Sequence, residues 1–535
     1  MPDFDVIIIG AGVVGCSAAR ELSRYRLKIG VLEKTPDVCC GTSARNSGVI
    51  HAGFNNKPGS KMARFCVLGN AGFDAVAKEL DIPFKRTGKL VVGFTDDDKK
   101  RLEAMKEQGE KNGVPDLKIV DKEFIQKTAP NVKGEFALWS GSTGICSPFE
   151  YTLAMAENAA KNGAEFYFEN EVREIKWDGN EYTIITNAGT YTSRWVINCA
   201  GLGSDKVSAM LGIDEYTIHP CKGEYFILDK KAGPLLPVPA YPVPNPKEGG
   251  LGIHLTPTID GNILVGPSNE YLDDCDDYAC EQDVMDMLIA DGSRIFPHLK
   301  REYFIRNFSG IRPKLASKEE GGYRDFVIER RDEAPHAINL VGIESPGLTA
   351  AVPISKEIVR LMSEVEELLP NEGFNPIRHR IESFADKTPE EQARLIAENP
   401  DYGEIVCRCE TITKAEVLAA ESEIKKAGIR ILGRKKYDAA VKAGKRISKV
   451  RQGAKKTGKA IRNAIGNVTG TVSRAIGSVS KALSKYIIIP ALIILLSLSM
   501  TSIFGGSIIS VLSVMESGFL KRFAAELFDF ILGIM

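Results

Sequence analysis

Three glycines and one acid carry the first chemical signal in this chain. Gly10, Gly12 and Gly15 form a Gly-x-Gly-x-x-Gly run, and Glu33 follows at the end of the next apolar segment. This spacing suits the binding of a dinucleotide. Gly10 makes a tight turn, Gly12 lets a pyrophosphate approach the backbone, and Gly15 lets a helix pack close to a strand. The N-terminus of that helix offers unpaired N–H groups and a partial positive charge to the phosphates. Glu33 is placed to accept hydrogen bonds from a ribose.

The elements that must hold these residues are legible around them. Asp5–Ile9 is an apolar, strand-like run that enters the glycines directly. Cys16–Arg24 is helix-forming, and Ile29–Leu32 is a second strand ending at Glu33. A Gly/Ser/Asn-rich stretch, Gly41–Gly53, has little to bury and is expected to line a site. Further along, residues 61–80 read as an amphipathic helix, Gly88–Gly93 as a strand, Asp96–Asn112 as a charged surface helix and Tyr151–Asn162 as a helix. Strands are expected at 165–168, 172–177, 182–186 and 190–192. A separate apolar strand from Trp195 enters Asn198-Cys-Ala-Gly201. Residues 216–330 read as strand-rich, and a last strand, Ala337–Val341, leads into Gly342–Ala351 and a helix to about Leu369.

The expected fold class is α/β, a Rossmann-like nucleotide-binding domain with a β-rich substrate domain. The body spans 1–380. Its nucleotide-binding part comes from segments 1–60, 150–215 and 325–369, and its substrate part from 61–149 and 216–324. A connector at 381–420, a basic helical linker at 421–486, a transmembrane segment at 487–515 and a short tail at 516–535 complete the division.

Charge separates body from tail. Lys425–Lys485 holds 18 Lys and Arg against one acid, Asp438, which leaves residues 1–424 acidic although the whole chain of 535 residues carries only −1. Residues 487–515 carry no charge. As a helix this stretch would extend about 44 Å, more than the roughly 30 Å hydrocarbon core of a bilayer. Pro490 and Gly505-Gly506 interrupt it, so one span of about 20 residues is expected. The basic run before it places its N-terminal side in the cytosol and suits anionic lipid. A nucleic-acid-binding arm is disfavoured, because the run interleaves only Tyr437 and Tyr486. A tail fused from a foreign sequence is a further reading, and is compatible with anchoring. Eleven cysteines do not make a dense disulfide framework. With no signal-peptide pattern, the catalytic body is expected in the cytoplasm, with its thiols reduced.

Six motifs, in order, extend the reading: Gly10-x-Gly-x-x-Gly15, Ser43-Ala-Arg-Asn-Ser-Gly-Val-Ile-His51, Asn198-Cys-Ala-Gly201, Gly252-Ile-His-Leu-Thr-Pro-Thr-Ile-Asp-Gly261, Ser309-Gly-Ile-Arg-Pro313 and Gly342-Ile-Glu-Ser-Pro-Gly-Leu-Thr349. Together they resemble the FAD-dependent, D-amino-acid-oxidase-like (DAO) oxidoreductases over roughly residues 3–410, nearest to the L-2-hydroxyglutarate and glycerol-3-phosphate dehydrogenase branches. The resemblance implies FAD as the cofactor. It places Ser43, Asn46 and Ser47 along the pyrophosphate and flavin, Val172 at the adenine, and Ala200 and Gly201 against the first glycine turn. Gly347, Leu348 and Thr349 would begin a helix aimed at the flavin edge that gains negative charge on reduction.

The resemblance also directs the choice of reacting groups. Dehydrogenation of an alcohol needs a base for the O–H proton, and histidine titrates near working pH. Of six histidines, His51 and His254 lie in motifs that should face the flavin; His51 is the favoured base, and a hydrogen-bonded structural role is the alternative for each. Arg312 would anchor an anionic substrate, with Arg45 and Lys222 as weaker candidates. Electrons would leave to a quinone or another carrier. An amine or amino-acid oxidase on the same fold is a rival reading, as is an inactive body on a membrane-interaction tail. Glu404–Glu410 resembles the start of a [2Fe–2S] module, but no cysteine follows Cys409, so Cys407 and Cys409 cannot complete a cluster within one chain and no metal is expected.

Overall fold

The computed structural model describes residues 2–244, 252–408 and 411–419. Cys409, the basic linker, the apolar segment 487–515 and the tail lie outside the described residues. Among the described residues no helix is long and apolar enough to cross a membrane.

The opening run Phe4–Ile9 is a strand at the middle of the first sheet, with Val6, Ile7 and Ile8 wholly buried. Runs apolar on both faces belong to parallel sheets covered on both sides. Phe4–Ile9 pairs in parallel with Ile29–Leu32 on one side and with Thr190–Asn198 on the other. Ile29–Leu32 in turn carries Glu165–Tyr167, and the end of Thr190–Asn198 pairs in parallel with Ala334–Val341. Three separated stretches of sequence therefore build one sheet. The helices Val13–Leu22, Pro148–Lys161 and Gly347–Ser363 contribute to the core packed on it.

Two differences from the sequence reading concern this sheet. Thr190–Asn198 is one continuous strand, not two. Its first half pairs with the antiparallel strand Tyr182–Thr186 and its second half with Ala334–Val341, so Ser193 and Arg194 bridge two partners without a break. The closing helix stops at Ser363, short of Leu369.

The second sheet is nine-stranded and draws on residues 89–140 and 219–314. Its longest pairing is antiparallel, His219–Leu228 against Phe304–Lys314. Lys89–Gly93 pairs on one side with Phe136–Ser140 and on the other with Ala240–Pro242. A helix, Gln282–Ile295, covers part of this sheet through Met285, Leu288 and Ile295, inside a region the sequence presented as strands. Helix Lys61–Leu80, assigned by sequence to the substrate part, buries Phe65, Phe73 and Ala77 in the core beside the first sheet. Beyond the body, Cys407 ends a short strand, Ile405–Cys407, paired with Ile412–Thr413.

Candidate active site

The glycine turn comes first because everything else is packed around it. Gly10 has φ +104°, and a Cβ there would lie 2.5 Å from the Cys199 carbonyl oxygen and 3.2 Å from Ala200 Cα. The turn is thus wedged against the end of the neighbouring strand. A side chain at Gly15 would collide with the Gly10 carbonyl, so the helix can approach the turn only as glycine. Gly12 precedes helix Val13–Leu22 and offers no side-chain cap. The Val13 N–H instead donates to Ser43 Oγ at 2.9 Å, which leaves the Ser43 hydroxyl proton free to point elsewhere.

Glu33 accepts from the Ala11 N–H at 2.7 Å, the Thr35 N–H at 2.9 Å and the Thr35 hydroxyl at 2.7 Å. A carboxylate has about four acceptor sites, so Glu33 is held rigidly and keeps capacity for a further donor. Asn46 is spent on its own loop: its amide donates to the Thr42 and Ser43 carbonyls, and its carbonyl accepts from the Gly48 N–H.

One cavity of about 1790 Å³ runs through the body. Gly10, Gly12, Glu33, Ser43, Asn46, Ser47, His51, Val172, Ala200, Gly201, His254, Arg312, Gly347 and Leu348 all line it. The glycine turn and the Pro346-Gly347-Leu348 turn therefore open into the same space. Gly15 and Thr349 are not among the lining residues. Thr349 is buried, and its hydroxyl accepts the His51 N–H at 3.0 Å, so it fixes the backbone of a lining residue.

His254 stands at the start of strand His254–Pro257, stacked on Tyr241 with ring centroids 3.7 Å apart. Its Nδ1 lies 2.9 Å from the Gly252 carbonyl, which can only accept, so Nδ1 bears the proton. Nε2 is then the lone-pair nitrogen, and it has no partner among the described residues. Burial, with Lys89 and Arg312 adding to it, pushes the His254 pKa down to about 3. His51 is likewise held well below the usual histidine range by burial, then by Lys89 and His254. Both imidazoles are neutral at pH 7.

Arg312 projects from Phe304–Lys314. It donates to the Ser268 carbonyl at 3.1 Å and approaches the Lys222 carbonyl at 3.4 Å and the Cys221 carbonyl at 3.5 Å. All three are uncharged, and no carboxylate lies within ion-pair distance of it among the described residues. Glu344, the neighbouring buried acid, pairs instead with Lys314 at 3.2 Å. A Cβ at Gly223 would sit 2.5 Å from Arg312 Nη2, so Gly223 makes the space the guanidinium fills.

The weaker candidates divide. Arg45 lines the cavity with its guanidinium 4.3 Å from the Tyr278 ring centroid. Lys222 does not line it. Its ammonium is committed to Asp277, Glu270 and Glu224 at 3.1, 3.3 and 3.7 Å. Sequence reasoning missed Lys89, Tyr225 and Tyr241, which also line the cavity. The available signal for Lys89 was a lysine opening the otherwise apolar strand Lys89–Gly93.

The residues present fit FAD. An acid with spare acceptor capacity, a hydroxyl beside one helix N-terminus and a second helix N-terminus at Gly347 with no side-chain cap all belong to the same cavity. Its volume exceeds the 300–1000 Å³ usual for small-ligand sites, as a dinucleotide plus a substrate requires.

Comparison with known proteins agrees with this geometry. The chain is 39% identical to the glycerol 3-phosphate dehydrogenase of Caloramator mitchellensis over 420 residues, covering 78% of this chain and 86% of that one. It is 29% identical to human mitochondrial L-2-hydroxyglutarate dehydrogenase, over 68% of this chain and 90% of the relative. Among solved structures, the dithionite-reduced L-alpha-glycerophosphate oxidase of Mycoplasma pneumoniae with FAD bound aligns with a TM-score of 0.65 and 29% identity, over 70% of this chain and 98% of that one. The model of the DAO family, FAD dependent oxidoreductase, matches residues 5–361. With two thirds of its length inside that match and a cavity whose lining suits the cofactor, this chain belongs to the DAO family of FAD-dependent oxidoreductases.

Proposed function

We propose that this enzyme is a dehydrogenase for a small anionic secondary alcohol, with glycerol 3-phosphate and L-2-hydroxyglutarate the leading substrates. The observation that carries the reading is Arg312, a cavity-lining guanidinium surrounded by uncharged acceptors and without a carboxylate in ion-pair contact among the described residues. Such a charge is matched by the anionic group of a ligand. Bound FAD supplies the hydride acceptor. Arg312 holds the anion, and a neutral imidazole receives the hydroxyl proton. His254 Nε2 has its lone pair directed by the Nδ1 bond to Gly252, while His51 is tethered through its backbone to Thr349. The named activities of the relatives support this substrate class. The deciding experiment is anaerobic flavin bleaching against 2-hydroxy acids and polyol phosphates, with ammonia release assayed for amino acids. Bleaching by an amino acid with stoichiometric ammonia, and by no alcohol, would overturn the reading.

We also propose that electrons pass onward to a quinone or another carrier, and that residues 487–515 anchor a cytoplasmic catalytic body to the membrane. Support for the anchor is compositional: an uncharged stretch preceded by a basic one.

A further inference from the structure

We propose that Lys89 is an anion-binding residue of this active site, a second cation whose counter-charge arrives only with the ligand. This deepens the alcohol-dehydrogenase reading and rests on it for the ligand class, a small organic dianion.

Three lysines are buried among the described residues: Lys89, Lys222 and Lys314. Lys222 has three carboxylates around it. Lys314 pairs with Glu344 and donates to the Gly322 carbonyl. Lys89 alone has neither. It is wholly buried, its Nζ has no hydrogen-bond partner among the described residues, and it lines the cavity. Its neighbours are two ring faces, Phe54 at 4.5 Å and Tyr241 at 4.3 Å. Among the described residues, the titratable groups facing it are His51, Cys66, Tyr241 and His254, none of them a carboxylate. Ring faces attract a cation but do not neutralise it. A buried ammonium without a counter-ion is costly, and burial pushes the Lys89 pKa down to about 7.

Arg312, on a different strand lining the same cavity, also has no ion-pair contact among the described residues, and the buried Glu344 that acts on it is paired with Lys314. His254 feels both cations. The lone-pair nitrogen of His254, one of the two imidazoles placed to take the substrate proton, therefore lies in the field of two groups with no ion-pair contact among the described residues. A monoanion satisfies one of them and leaves the other uncompensated, whereas a dianion satisfies both. As the anion docks, Lys89 regains a full proton, because an adjacent negative charge favours the ammonium form.

The test uses the full-length, FAD-loaded enzyme and inert probes. Glutarate and sulfate are dianions at pH 8, and butyrate is a monoanion. Binding is read from perturbation of the flavin spectrum, and proton uptake from calorimetry in two buffers of different ionisation heat. Wild type should bind at least one of the dianions about tenfold or more tighter than butyrate. It should take up about 0.9 proton per dianion at pH 8, the deficit left by a pKa near 7. His51 and His254 stay neutral at that pH and cannot supply this signal. Lys89→Met should lose both the preference and the uptake. Lys89→Arg should keep the preference and lose the uptake, since arginine does not titrate there.

Absence of proton uptake in wild type overturns the proposal, with no variant needed. So does a Lys89→Met enzyme that retains both signals, or uptake that accompanies FAD loading of the apoprotein and not dianion binding. If dianions bind with uptake but no alcohol bleaches the flavin, the dehydrogenase reading fails and the role of Lys89 stands.

Discussion

Arg312 concentrates the substrate-binding charge in one side chain, so its replacement should be read mainly in substrate affinity. Arg312→Met removes the charge while keeping an unbranched stem. It should lower kcat/KM by about 100-fold or more, the scale of losing a paired charged hydrogen bond of about 3 kcal/mol, while flavin content stays near wild type. A second residue-scale expectation concerns acid. The unfolded chain protonates His254 near pH 6.5, but the folded chain resists until about pH 3. Between those values the unfolded state binds the extra proton. The contribution to stability is therefore fully present above pH 6.5 and is lost as pH falls, by about 1.4 kcal/mol per pH unit, with His51 acting in the same direction. Urea melts of His254→Asn should show a shallower loss between pH 6.5 and 4.5 than wild type; identical slopes would refute the assignment. These groups were unequally legible in sequence. Gly10, Gly12 and Glu33 declare themselves because their roles depend on local spacing along one strand–turn–helix. Lys89 and Gly223 do not, because each acquires meaning only from residues far along the chain, Tyr241 and Arg312 respectively.

At the level of elements, two helices cross closely behind a residue that lines the site. Gly69 on Lys61–Leu80 meets the Thr349 carbonyl so closely that a Cβ would collide with it. Thr349 in turn accepts the His51 N–H. Gly69→Ala should push the helices apart, with overpacking costing about 1–3 kcal/mol and with weaker flavin retention. Denaturant midpoints and the ratio of flavin to protein absorbance would measure both. Unchanged values would mean the crossing relaxes without strain. The sequence showed both helices but not that they cross, because an apolar stripe says that a face is buried and not against what. The same limit explains the helix Gln282–Ile295, which lies in a region rich in turn signals.

For the whole molecule, the cavity-lining residues named above all precede Ala419. A chain ending at Ala419 should therefore bind FAD and bleach with substrate as the full chain does. It should also leave the membrane fraction for the soluble one if residues 487–515 act as an anchor. Equal partitioning of the two chains would dismiss the anchor and leave the catalytic reading intact. The composition of the tail was plain from sequence, whereas the interleaving of the two sheets could only be inferred from strand-like runs recurring after long intervals. That interleaving bears on biosynthesis. Phe4 waits for Ser193 to complete its pairing, and Val196 waits for Ala337. At roughly 5–20 residues per second of translation, the first strand to leave the ribosome spends on the order of ten seconds or more with one edge unmatched, and such edges invite aggregation. High contact order of this kind slows folding, so yield in a cell should depend on chaperone supply more than on the stability of the finished enzyme.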